Sequence, residues 1–211
     1  MTLSSDALTI LTSVKTDLGI SGSTEDTYLE RLIEVASARI KKYCNRTFYY
    51  SGAIAEYVPG IHSVFMCLAR CPIESITSIT YNGAAISADV YSIHSADAGI
   101  LYNADRWYDT SPEILNISRD PDVGREEKLY YVTYKAGWVT PNQTGTRTLP
   151  HDLEQACIDL VVQKYRTKGM NPLIKNESLL SYSVGYNQGE SEDMPAAIRC
   201  VLDGYKRVTI S

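Results

Sequence analysis

Between residues 23 and 48, apolar or small side chains fall at Tyr28, Leu29, Leu32, Ile33, Ala36, Ile40, Tyr43 and Cys44. This i, i+3, i+4 recurrence lines one face of a helix. Ser23-Thr24-Glu25-Asp26 offers a hydroxyl to the first free N–H groups and acids to the positive end of the dipole. Arg39, Lys41, Lys42 and Arg46 crowd the negative end, so start, face and stop agree on a helix over about 24–45. A shorter helix over 9–18 precedes it, with Ala7, Leu11, Val14 and Leu18 on one side and Gly19 where left-handed backbone is cheap. The short connection predicts that these two helices form an antiparallel pair.

After Phe48 the period changes from 3.6 to 2. Strands are predicted over 54–58, 63–68, 73–81, 85–93, 99–102, 113–118 and 128–134, with Asn82-Gly83 as a hairpin turn because both residues tolerate positive φ. Helical spacing returns after a polar loop. Leu153, Ala156, Cys157, Leu160, Val161, Lys164 and Tyr165 predict a helix over about 150–167, begun by Pro150, whose apolar face suits the long helix. Residues 171–193 carry only a thin apolar thread, too little for a core. Asp193 and Pro195 then open a short helix with Ile198, Val201, Leu202 and Tyr205 on one face.

The fold class expected is α+β: an antiparallel helical core, an inserted antiparallel β block and an extended C-terminal arm ending in a short helix. The corresponding segments are an N-terminal helical pair at 1–48, a β-rich insertion at 49–140, a third core helix at 141–169 and the arm at 170–211.

A chain of 211 residues buries roughly 70% of its unfolded surface. The five cysteines are odd in number and lie in no disulfide-scaffold or CxxC spacing, so reduced, mostly buried thiols and a cytoplasmic origin are expected. No segment approaches the ~20 apolar residues of a membrane span, and the N-terminus has no signal-peptide pattern. A formal charge of −5 disfavours a surface that grips phosphate. The alternative to weigh against that is a nucleic-acid-binding module using the basic end of the long helix. Sixteen tyrosines against two phenylalanines fit either half-buried strands or protein interfaces.

Catalytic chemistry lacks a starting signal. His62, His94 and His151 sit in no metal-ligand spacing, Cys67 and Cys71 are wrongly spaced for a zinc knuckle, and no phosphate loop or nucleophile elbow is present. Trp107, Tyr108 and Trp138 are better explained by packing than by stacking on a base. No enzyme, cofactor or metal is expected.

Four stretches, in this order and spacing, resemble a known family. They are Val14-Lys15 with Leu18-Gly19-Ile20; Leu29 through Ala38 running into Tyr43-Cys44-Asn45-Arg46-Thr47-Phe48; Tyr134-Lys135-Ala136-Gly137-Trp138 followed by Leu149-Pro150-His151-Asp152-Leu153-Glu154-Gln155-Ala156; and Tyr182-Ser183 with Leu202-Asp203-Gly204-Tyr205-Lys206-Arg207. The chain resembles the head-tail connector proteins of tailed bacteriophages, also called adaptor or head-completion proteins. Leu179-Leu180-Ser181 departs from the Gly-Asp pair that relatives often carry there. The resemblance implies a virion protein at the head–tail interface, made in the bacterial host cytoplasm. It also implies a dodecameric ring beneath the portal that extends the DNA channel and presents a platform to the next connector or tail protein. DNA would pass through without specific binding. The arm is expected to dock on the portal protein through Leu179, Leu180, Tyr182, Val184, Tyr186, Ile198, Val201, Leu202 and Tyr205. Lys41, Lys42 and Arg46 are candidates for subunit contact or channel lining, and the free protein is compatible with a monomer.

Overall fold

The apolar periodicities resolve into four helices and nine strands in a computed structural model that describes residues 3–108, 129–168, 176–179, 182–185 and 194–207. The class is α+β. Two compact units divide the chain, one made of 1–46 and 140–211, the other of 47–139.

In the first unit, α1 (Leu11–Leu18) ends at Gly19, whose φ of 66° lets the N–H groups of Gly19 and Ile20 reach the carbonyls of Thr16 and Lys15. The long α2 (Asp26–Cys44) and α3 (His151–Arg166) pack on each other. Tyr28 meets Tyr165 at 6.1 Å between ring centroids, and Ser37 Oγ lies 3.6 Å from Cys157 Sγ, so the two helices run antiparallel. Leu29, Ile33, Ala36, Ile40 and Cys44 of α2 are buried with Leu153, Ala156, Cys157, Leu160 and Val161 of α3. α1 and α4 (Ala196–Asp203) each pack on both of these helices.

The start of α2 differs from the expectation. No side chain caps it: Glu25, at the N-cap position, already has near-helical dihedrals, and its carboxylate binds Lys168 at 2.7 Å instead. Asp26 pairs with Lys15 at 2.7 Å, and the backbone N–H of Asp26 reaches the Ser23 carbonyl. At the other end Asn45 adopts a left-handed φ of 48° and closes the helix on the Lys41 and Lys42 carbonyls.

An N-terminal strap completes this unit. Ala7, Leu8 and Thr9 are fully buried. The backbone N–H of Leu8 donates to Ser37 Oγ at 3.1 Å, Thr9 Oγ1 donates to Glu154 at 3.1 Å, and Thr140 Oγ1 donates to the Ser5 carbonyl at 2.7 Å. Glu154, itself buried, is neutralised by Arg147 at 2.6 Å. A buried carboxylate with both an ion pair and a hydroxyl donor meets the condition under which charge burial is tolerated.

In the second unit, β7 (Tyr130–Ala136) is flanked by β1 (Ser51–Val58) and β3 (Ile73–Tyr81), with the short β4 (Ala84–Ala85) beyond β3. Tyr130, Val132, Tyr134 and Ala136 alternate inward along β7, the period-2 burial of a strand with one face on a core. A second sheet orders β2 (Phe65–Cys67), β6 (Ile100–Asn103) and β5 (Tyr91–Ser95). Trp107 is fully buried and meets Tyr130 edge-on at 5.3 Å.

Asn82 and Gly83 have φ of 49° and 75°, as the hairpin from β3 to β4 requires. The single strand expected over 85–93 is broken. Ser87 Oγ accepts from the Asp89 N–H, and a 3₁₀ turn at Ala88–Val90 separates β4 from β5, because a serine so placed offers the backbone a competing bond. The strand expected over 113–118 lies outside the described residues.

Where the chain enters and leaves this unit, Trp138 N–H donates to the Phe48 carbonyl at 2.8 Å and Tyr50 N–H donates to the Trp138 carbonyl at 2.7 Å. Gly137, directly before Trp138, has φ of 106°; a Cβ there would stand 2.3 Å from the Tyr49 carbonyl oxygen. Only glycine fits that position.

Candidate assembly surfaces

The residues assigned to a docking arm fall into two different structures. β8 (Asn176–Leu179) and β9 (Tyr182–Gly185) form an antiparallel hairpin whose register sets Leu179 opposite Tyr182 and Glu177 opposite Val184. Leu180 and Tyr186, and the capping residue Asp193, lie outside the described residues. The last helix, α4, is something else. Ile198 and Leu202 are buried against their own unit, and only Val201 among the three apolar positions is exposed, at 38%. This corrects the expectation that Ile198 and Leu202 are presented to a partner: their apolar surface is already covered by α2 and α3.

A polar network fixes α4 in place. Tyr43 Oη donates to Asp203 Oδ1 at 2.7 Å, and Lys206 Nζ pairs with the same oxygen at 2.9 Å while lying 4.0 Å above the Tyr43 ring. These bonds hold the Asp203 carboxyl below the usual carboxylate range and raise Lys206. Tyr205 Oη donates to Asp152 Oδ1 at 2.7 Å, and burial together with that acceptor pushes its hydroxyl well above the ordinary tyrosine range. The Arg207 N–H donates to the Cys44 carbonyl at 3.0 Å. The chain after α3 is tied as well. Lys168 lies 4.3 Å over the Tyr28 ring and binds Glu25, which fixes the backbone just before the stretch that leads into the hairpin.

The basic end of α2 is not a free patch. Lys41 is bound to Asp6; burial opposes ionisation of that carboxyl, but hydrogen bonds from Lys41 and Ser4 and the Lys41 charge together hold it below its ordinary value. Arg46 is half-buried and engaged, which leaves Lys42 as the exposed member of the three. A cluster reduced in this way gives little footing for phosphate.

Other surface features escaped the sequence reading. Val35, on the outer face of α2, is 44% exposed. In the β unit, Phe65, His94 and Tyr102 group on the three-stranded sheet, with 4.9 Å between the Phe65 and His94 rings and 5.8 Å between Phe65 and Tyr102. Tyr57 and Tyr131 pair across β1 and β7 at 4.9 Å. Period-2 alternation marks such residues as outward-facing, but not which of them gather.

Among the described residues no group of three or more His, Cys, Asp or Glu side chains is placed to hold a metal, and no helix is long and apolar enough to cross a membrane. The five cysteines are free thiols; Cys44, Cys71 and Cys157 are buried, Cys67 and Cys200 exposed. Burial pushes Cys44 up to about 11 and Cys157 up to about 12.

A family model described as head completion protein matches residues 7–208. The chain belongs to the head completion protein family. That family is one of structural virion proteins. The fold of this head completion protein is similar to that of a chain in the neck of an empty GTA particle with C6 symmetry, with a TM-score of 0.58 at 12% identity, covering 100% of this chain and 95% of that one. It is also similar to a chain in the neck of a native GTA particle with C12 symmetry (TM-score 0.55, 11% identity, 100% and 94% covered). A third likeness is to a chain in the virion of a native gene transfer agent particle (TM-score 0.55, 13% identity, 100% and 95% covered). No curated protein matches the sequence.

Proposed function

We propose that this head completion protein is a connector of the virion neck, assembled as a ring of twelve copies under the portal. There it extends the DNA channel and receives the next connector or tail component. The observation that carries the reading is the family match over nearly the whole chain, and the likeness to neck chains in C6 and C12 symmetry supports it. A protein with this role needs no catalytic site, only surfaces that meet its neighbours.

The β8–β9 hairpin is the element we assign to the portal. Among the described residues its two strands pair only with each other, and a two-stranded ribbon alone in water is at best marginally stable. A partner that adds contacts to the ribbon stabilises it. Lys168 on one side and the anchored α4 on the other hold both ends of this segment. DNA passes through the ring without specific binding, in keeping with the net charge of −5.

The test is attachment. A Leu179→Ser/Tyr182→Ser/Val184→Ser variant keeps both units intact and is mixed with portal-bearing heads that lack the protein. Loss of attachment with an unchanged circular dichroism spectrum is expected; undiminished attachment would overturn the assignment of the hairpin.

A further inference from the structure

We propose that successive copies join head to tail through the outer stripe of α2 on one copy and the outer stripe of α3 on the next. This inference rests on the ring reading above and names the surfaces that would close it.

Opposite its buried face, α2 exposes Arg31, Val35, Ala38 and Lys42, one per turn. The stripe is cationic at both ends and apolar in the middle. Opposite its own buried face, α3 exposes Asp152, Gln155, Asp159 and Gln163, with Lys164 and Arg166 exposed near its end. The first two turns of that stripe are acidic, and Asp152 there also accepts the Tyr205 hydroxyl. Gln155 donates to Asp159 at 3.0 Å, which orients the carboxylate along the helix surface. One unit therefore bears a cationic stripe on α2 and an acidic patch on the first two turns of α3, on two helices packed face to face.

The signs select the pairing. Two copies joined by α2 against α2 would set Arg31 and Lys42 against like charges, and α3 against α3 would set Asp152 and Asp159 together. Like charges across an interface reject a partner as firmly as opposite charges accept one. In α2 against α3 the Lys42 end of α2 meets the acidic start of α3, and Arg31 stands level with the neutral Gln163. An interface made of two different patches is heterologous, and repeated rotation closes it into a ring.

The heights agree as well. Tyr28 lies against Tyr165 and Ser37 against Cys157 within one copy. Continued along the pair, this match places Lys42 level with Asp152, Arg39 level with Gln155 and Val35 level with Asp159. Rotation about an axis along the helix pair preserves those levels, so Lys42 of one copy arrives opposite Asp152 of the next. Val35 arrives against the aliphatic portion of the Gln155–Asp159 turn, which covers its exposed surface.

Cross-linking tests this on the full chain. In a Cys67→Ser/Cys200→Ser background, which removes the two exposed thiols, Val35→Cys and Asp159→Cys are introduced together. The protein is then assembled onto portal-bearing heads and oxidised. A ladder of disulfide-linked multimers extending well beyond the dimer is expected, and each single-cysteine variant should stay monomeric. Heads that carry the protein but yield only monomer overturn the interface, and a product that stops at the dimer overturns its head-to-tail sense. Failure of the unsubstituted protein to bind heads at all would instead overturn the connector reading on which the proposal rests.

Discussion

Replacing Leu202 by alanine removes a side chain that is fully buried where α4 meets α2 and α3. Buried leucine-to-alanine changes cost the lost transfer free energy plus a cavity term, and about 3 kcal/mol is expected here. With a urea dependence of about 2 kcal/mol per molar, the midpoint should fall by about 1.5 M. Both tryptophans, Trp107 and Trp138, belong to the β unit. Ellipticity at the helical minimum is therefore the signal to follow, with tryptophan fluorescence as a separate marker of the other unit. Val201→Ala, one residue earlier but exposed, serves as the control and should stay within about 0.5 kcal/mol. If Leu202→Ala moved the ellipticity midpoint no further than Val201→Ala, α4 would not be an integral part of the helical unit. The placement of Ile198 and Leu202 in the core of the helical unit would then fail.

Gly137→Ala combines a left-handed residue, which costs about 1–2 kcal/mol, with a Cβ only 2.3 Å from the Tyr49 carbonyl oxygen. It should lower the tryptophan fluorescence midpoint of the β unit by more than the dihedral cost alone, and an unchanged midpoint would contradict the geometry. In native protein the exposed thiols of Cys67 and Cys200 should react rapidly with an aromatic disulfide reagent, while Cys44, Cys71 and Cys157 wait for denaturant. Rapid reaction at Cys157, where burial raises the thiol to about 12, would count against its buried position. The Asp6 carboxyl titrates below its ordinary value of 3.8 when folded, so its contribution is complete above that pH and is lost as pH falls through the folded value. The stability gap between the native protein and Asp6→Asn should accordingly narrow in acid; a gap that stays constant down to full protonation would refute the Lys41 pairing.

Local signals carried much of this fold into the sequence. Both ends of β3, the positive φ of Asn82 and Gly83, the stop at Gly19 and the apolar faces of α2 and α3 all follow from spacing and turn chemistry that act within a few residues. What the sequence did not reveal depends on distant partners. Ser23 and Thr24 are good capping residues, yet Lys168, far off in the chain, claims Glu25, and Lys15 on the preceding helix claims Asp26. Amphipathicity in α4 showed that a face would be covered without showing by what. Ile198 and Leu202 read equally well as a partner's anchor and as the protein's own core. The exposed stripe of α2 was hidden for a related reason: Val35 looks like one more apolar residue until its neighbours on the helix surface turn out to be Arg31, Ala38 and Lys42.

The central claim is that this chain completes the head by assembling on the portal, and mass is its most direct measure. Native mass spectrometry of isolated portal rings, before and after addition of the purified protein, should show the added mass of a ring of twelve chains of 23.5 kDa. No added mass, or binding of isolated copies that never build up to a closed ring, would contradict the account.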